Sequence, residues 1–167
     1  YDFSDVEGDH LLDTQELEGL YPKAAFLDSR EVVLFGEKGF VLYQADSKKI
    51  ETQENFESEI NSVFCTNQKL GFIFKNEDDN GKYRMEIYNK AGKKSSTYYF
   101  DLDYSGMTAD DDEVILYNDE EMLIYQMGGR VRFRGTFNTA VTGVMPSWED
   151  GLYWLIDDQS LREIRIR

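Results

Sequence analysis

Four times along this chain a short run of aliphatic and aromatic residues is followed, across a polar turn, by a second one. The pairs are 32–35 with 40–43, 71–74 with 85–88, 114–117 with 122–125, and 152–155 with 161–164. Residues 113–133, EVILYNDEEMLIYQMGGRVRF, write the pattern most plainly: two runs flank an acidic turn, and Gly128-Gly129 leads into a third. Such runs, separated by short turns, read as consecutive antiparallel strands of a meander. Three of the second runs close on a tyrosine followed by an amide: Tyr43-Gln44, Tyr88-Asn89 and Tyr125-Gln126. A basic residue follows each at the same offset, Lys48, Lys93 and Arg130, and opens a further strand. Preceding strands fall near Ala24, Val63, Gly106 and Val144, about 40 residues apart.

A period of about 40 residues with four short strands per unit predicts an all-β fold, a β-propeller of four-stranded antiparallel blades. An α-solenoid of similar period would carry a 3.6-residue periodicity instead. One blade cannot cover both of its faces, so blades stack about an axis and leave only short edges. The blades are expected at about 24–56, 63–100, 106–137 and 144–166, in a ring that is either closed or part of a larger one. Alternation along the strands predicts an interblade core of Val33, Phe35, Phe72, Phe74, Ile115, Tyr117, Tyr153 and Leu155. The ends of the chain are out of phase: the last unit lacks a fourth strand, while residues 11–17 (LLDTQEL) resemble the fourth strand of the first blade, 49–56 (KIETQENF). Residues 10–17 are therefore expected as a closing outer strand antiparallel to 161–166. A short helix over 13–20, capped by Asp13 or Thr14, is the alternative. In an incomplete ring the exposed ends predict self-association.

Charge and composition exclude several functions. A net charge of −15 argues against nucleic-acid binding, which needs a basic surface. No apolar run approaches the roughly 20 residues of a membrane span, so this segment is expected to make no membrane contact. The one cysteine, Cys65, sits in an apolar strand and reads as an inert buried thiol. His10 is the one histidine, which leaves neither a zinc set nor a well-placed Ser-His-Asp triad, and no cofactor is implied. The loop Asn76-Glu77-Asp78-Asp79-Asn80-Gly81 has EF-hand composition, but its twelfth position is Ile87 and its flanks read as strands. Asp110-Asp111-Asp112-Glu113 reads as a solvated turn. Trp154 is expected in the core, whereas Trp148, beside Pro146 and Ser147 at a strand end, is the tryptophan expected at the surface.

By strand order, the turns between second and third strands share a face with the links between blades, and that face is expected to be strongly acidic. Its candidate ligand-binding residues are Asp78, Asp79, Asp157 and Asp158, as oxygen donors of at most a weak cation site; Trp148 is a further candidate. The repeats, with their Tyr-amide-x-x-x-basic turn, resemble the β-propeller superfamily, including its irregular seven- and eight-bladed forms. The C-terminal stretch GVMPSWEDGLYWLIDDQSLREIRIR is similar to the end of a bacterial membrane-anchored propeller family of unknown function. That resemblance implies an extracytoplasmic location, with an anchor upstream of Tyr1. Two functions are expected to compete: a non-catalytic binding or scaffolding module for a protein or extracellular ligand, and a carboxylate-dependent hydrolase or lyase at the mouth of the channel. The residues lining the axis discriminate between them.

Overall fold

The computed structural model describes residues 13–166, and all regular structure among them is β-strand, in four antiparallel sheets. The first sheet runs in order β1 (Lys23–Phe26), β2 (Glu31–Phe35), β3 (Gly39–Gln44) and β4 (Lys49–Asn55). The second holds β5 (Ile60–Cys65), β6 (Lys69–Lys75), β7 (Tyr83–Asn89) and β8 (Lys94–Phe100). The third holds β9 (Gly106–Ala109), β10 (Glu113–Tyr117), β11 (Glu121–Gln126) and β12 (Arg130–Thr136). The fourth has three strands, β13 (Val141–Pro146), β14 (Leu152–Asp157) and β15 (Leu161–Arg165). Each sheet is a meander and one blade. The chain divides into two compact units, one ending at Glu57 and the other beginning at Ser58, so the first blade stands in one and the remaining three in the other.

Within the second unit the third blade is buried on both faces. Val114, Leu116, Leu123 and Tyr125 pack with Phe64, Ile73, Met85, Ile87, Tyr98 and Phe100 of the second blade. Their sequence neighbours Ile115, Met122 and Ile124 pack with Val141, Val144, Tyr153 and Leu155 of the fourth. Period-2 geometry sends adjacent residues to opposite faces, and here both faces are core. The expected alternation is thus between two cores rather than between core and water, which is why β10 and β11 are buried almost continuously. Of the expected core, Val33, Phe35, Phe72, Phe74, Ile115, Tyr153 and Leu155 are buried, and Tyr117 is half-buried. Two tyrosines stitch blade to blade: Tyr98 donates to the Gln126 carbonyl at 2.9 Å and Tyr125 to the Tyr99 carbonyl at 3.0 Å.

The recurring Tyr-amide-x-x-x-basic segment marks a structural feature. At Leu42/Tyr43, Ile87/Tyr88 and Ile124/Tyr125 the pairing with the fourth strand slips by one residue, leaving Glu51, Ser95 and Arg132 as extra residues in β-bulges. Across the turn the amide meets the basic residue, as where Arg130 Nε donates to Gln126 Oε1 at 2.8 Å.

The expected closing strand is not a strand where it can be followed. Residues 10–12, His10 included, lie outside the described residues, and 13–17 form neither strand nor helix. Instead the Tyr43 hydroxyl donates to Asp13 Oδ2 at 2.7 Å and Gln15 Nε2 donates to the Lys48 carbonyl at 3.2 Å, which tie the segment to the first blade. Side-chain bonds to its own blade thus take the place of a backbone ladder.

Close packing also fixes one glycine. Gly71 faces Phe64 across β5 and β6, and a Cβ at Gly71 would fall inside that aromatic ring. The ring covers the glycine backbone and fills the space a side chain would take. Gly71→Ala is expected to cost about 1–3 kcal/mol through displacement of Phe64, whereas Gly128→Ala, with no atom within 4 Å of its added Cβ, is expected to be near neutral. Urea titrations of the two variants beside the parent protein measure the contrast.

Candidate functional site

Three blades open their second strand through the same device. Asp28 Oδ1 accepts from the backbone N–H of Arg30 and Glu31 at 2.7 and 3.0 Å, and Asp110 Oδ1 from those of Asp112 and Glu113, both at 2.8 Å. Thr66 Oγ1 does the same for Gln68 and Lys69 at 3.2 and 3.1 Å. Such Asx and Ser/Thr turns satisfy the backbone donors of a tight reversal.

The fourth blade departs from this pattern. Ser147 N–H closes on the Leu152 carbonyl, a longer reach than the Asp110 to Glu113 closure. The longer turn carries Trp148, Glu149, Asp150 and Gly151, and the buried Ser147 Oγ has no hydrogen-bond partner. Gly151 sits at φ 76°, and a Cβ there would meet the Ile166 carbonyl oxygen at 2.7 Å and Arg132 Nη2 at 3.3 Å. Only glycine accommodates both the turn and the guanidinium beside it.

That turn, the Asp110–Asp112 turn and the end of β11 enclose a cleft of about 750 Å3. Its floor is an ion-pair relay: Arg132 Nη1 lies 3.2 Å from Glu113 Oε2 and 2.7 Å from Asp150 Oδ1. Glu113 is only 5 % exposed, and burial pushes its carboxyl above the usual range, with Tyr153 and Arg132 pulling the other way. Asp150, at the surface, is held below the usual carboxylate range by Arg132. The Tyr153 hydroxyl is buried beside Glu113 without a well-formed hydrogen bond, and desolvation with the neighbouring carboxylate raises its pKa strongly. Trp148, 90 % exposed, lines the same cleft as Asp111 and Asp112. Asp111 also ties the rim to the second blade by accepting from the Gln68 N–H at 3.1 Å.

Two sequence expectations need correction here. Glu113 is not part of a solvated turn: as the first residue of β10 it shares strand parity with Ile115 and turns toward the fourth blade. Arg132 passed unnoticed because strict alternation places it opposite Phe133; the bulge turns both residues to the fourth blade. Trp154, expected in the core, is half-buried, because Tyr153 and Leu155 take the core-facing side of β14.

The five candidate residues do not converge. Asp78 and Asp79 are exposed in the β6–β7 loop, which Asn76 shapes through Nδ2 bonds to the Asp78 and Gly81 carbonyls at 3.1 and 2.8 Å. Asp157 ends β14 and Asp158 follows it in the β14–β15 turn, with the third blade between them and the first pair. Asp157 Oδ1 accepts from Gln159 N–H, Ser160 N–H and Ser160 Oγ at 3.0, 2.7 and 2.9 Å, and Oδ2 pairs with Arg162 at 2.6 Å. Those bonds hold its carboxyl below the usual range and commit it to the turn. Trp148 alone of the five lines the cleft. Among the described residues no three His, Cys, Asp or Glu side chains form a metal-holding group. Cys65 is half-buried, and burial raises its thiol pKa, which suits an inert thiol.

A model for a family of unknown function, DUF5711, matches residues 1–166. The chain belongs to this family. No curated protein matches its sequence. Among solved structures, BBS1N in complex with ARL6DN superposes with a TM-score of 0.60 at 12% identity over 93% of this chain and 54% of its own. Hsv2p of Kluyveromyces lactis gives a TM-score of 0.56 at 10% identity over 87% and 46%. A eukaryotic initiation factor gives 0.62 at 10% identity over 91% and 42%. BBS1N and Hsv2 are β-propeller proteins, so the fold is shared. The DUF5711 chain spans about half the length of these structures.

The relay makes a pH-dependent prediction. Arg132→Met leaves the Glu113 carboxylate buried without its cation and is expected to cost about 2–4 kcal/mol near neutral pH. An acid whose folded-state pKa is raised destabilises the fold when ionised, and that cost fades as pH falls through the folded value toward the unfolded one. Without Arg132 the folded value rises further, so the gap between variant and parent should narrow on acidification. Denaturation midpoints measured across that range check the sign; a gap that widens in acid would contradict the assignment.

Proposed function

We propose that this chain is a non-catalytic propeller module that binds a protein partner at the cleft beneath Trp148, recognising a cationic segment. The observation that carries this reading is an almost fully exposed tryptophan lining one cleft with Asp111 and Asp112, on the one first-to-second-strand turn that departs from the repeat. A tryptophan face attracts a guanidinium or ammonium group through its quadrupole, and the Asp111 and Asp112 carboxylates add complementary charge. Exposed aromatics of this kind are also the side chains that dominate binding energies at protein interfaces.

A binding role is favoured over the carboxylate hydrolase or lyase by the inner strands and by the relay. The strands that open the blades of the second unit, β5, β9 and β13, carry no Asp or Glu, so they bring no carboxylate pair to the axis. In the cleft, Glu113 and Asp150 are both tied to Arg132 rather than poised for proton transfer. The structural neighbour BBS1N is itself described in complex with another protein, which lends the reading support by analogy. The resemblance of the C-terminal stretch extends the proposal to an extracytoplasmic partner of a membrane-anchored bacterial protein.

Calorimetric titration with oligo-arginine and oligo-glutamate peptides tests the reading. Salt-sensitive binding of the cationic peptide is expected, weakened about tenfold or more by Trp148→Ala. Equal affinity for both peptides, or no effect of Trp148→Ala, would refute it.

A further inference from the structure

Asn80-Gly81 is the one Asn-Gly pair in the chain, and it lies in the β6–β7 loop. The fold dictates the glycine. Its φ is 144°, and a Cβ there would meet the Phe100 backbone nitrogen at 3.0 Å and carbonyl oxygen at 3.1 Å. Phe100 belongs to the core shared by the second and third blades, so that wall is fixed. Nothing comparable demands the asparagine. Asn80 is exposed, and among the described residues its carboxamide has no hydrogen-bond partner.

This pairing has a chemical consequence. The backbone nitrogen that follows an asparagine lies close to the side-chain carbonyl carbon, and attack on it is intramolecular. A bulky next residue crowds that approach, whereas glycine, without a Cβ, leaves it open. Here the chain beyond the nitrogen is anchored: Asn76 Nδ2 donates to the Gly81 carbonyl and Asn76 N–H to the Lys82 carbonyl, both at 2.8 Å. The Gly81 N–H itself makes no well-formed hydrogen bond among the described residues. Glu77, Asp78 and Asp79 oppose loss of its proton, but they are exposed, and water and salt screen their charge.

Other sites of the same chemistry are protected. Asn89 Oδ1 accepts from Lys93 N–H at 3.0 Å, and Asn118 Oδ1 from Glu120 and Glu121 N–H at 2.9 and 2.7 Å. Asn76 commits its carboxamide to the loop, and all three precede a residue bulkier than glycine. Asp150-Gly151 could close a similar ring only by losing water from a protonated carboxyl, and Arg132 holds that carboxylate ionised from 2.7 Å.

We propose that Asn80 is a site of spontaneous deamidation in the folded protein. The Gly81 nitrogen gives up its proton to solvent base and attacks Asn80 Cγ. The new N–C bond closes a cyclic imide as the Cγ–Nδ2 bond breaks and ammonia leaves. Water then opens the imide at either carbonyl, to aspartate or to isoaspartate, in which the main chain runs through the former side chain. Either product adds a carboxylate beside Glu77, Asp78 and Asp79. Isoaspartate also lengthens the main chain by a methylene, which is taken up toward those residues because the Gly81 side is held by Asn76 and Phe100.

The folded full chain is kept in mildly alkaline buffer for days, beside a synthetic peptide of residues 76–82, NEDDNGK. Trypsin releases the same peptide from the chain, and fragment masses locate any amide-to-acid exchange. Conversion is expected at Asn80 before Asn76, Asn89 or Asn118, at a rate within about tenfold of the free peptide, since a loop that misplaced the two atoms would cost far more. Asn80→Ser should abolish the more acidic species seen on anion exchange and leave the urea midpoint of the fresh protein unchanged. A folded chain slower than the peptide by more than that margin overturns the proposal, as does earlier conversion at another asparagine.

Discussion

In the second unit the third blade serves as the core of its neighbours on both sides, and it does so because adjacent residues of one strand point in opposite directions. Val114 and Leu116 belong to the core shared with the second blade, Ile115 to the core shared with the fourth. A one-residue slip of β10 would exchange these sets and send Glu113 into the wrong core. The register is therefore held wherever it can be: by the Asp110 turn at one end of β10, by the Asn118 turn at the other, and by the paired tyrosines Tyr98 and Tyr125.

The cleft inherits its chemistry from that register. Glu113 enters the fourth-blade side because it shares parity with Ile115, and its charge is tolerable there because a bulge brings Arg132 to the same side. Gly151 leaves room for the guanidinium, and Asp150 takes its second contact at the surface. The result is a floor with paired charges beneath a rim of exposed acids and an exposed indole. Nothing in this arrangement needs the axis of a propeller, and it sits at the opposite end of the blades from the acidic loops that first attract attention.

Much of the fold was legible in the sequence because its repeat depends on local signals. Apolar runs, short turns and the Tyr-amide segment each report a feature of one blade, so the class and the strands could be read without tertiary knowledge. The site was less legible. Arg132 is invisible to a period-2 reading because a bulge breaks the period at that residue, and Glu113 was masked by the three aspartates before it. A comparison of turn lengths would have singled out the stretch around Trp148, since Ser147 to Leu152 is longer than its counterparts. The segment 13–17 misled because its resemblance to a fourth strand is one of sequence, whereas strand formation also requires a partner edge.

The bulges carry one more implication. Glu51, Ser95 and Arg132 occupy the same extra position in three successive blades, outside the alternation that fills the cores. An acid, a hydroxyl and a base stand there with the surrounding ladders unchanged in kind. The repeat thus keeps one residue per four-stranded blade exempt from packing rules, a place where chemistry can vary from blade to blade without rewriting the architecture that presents it.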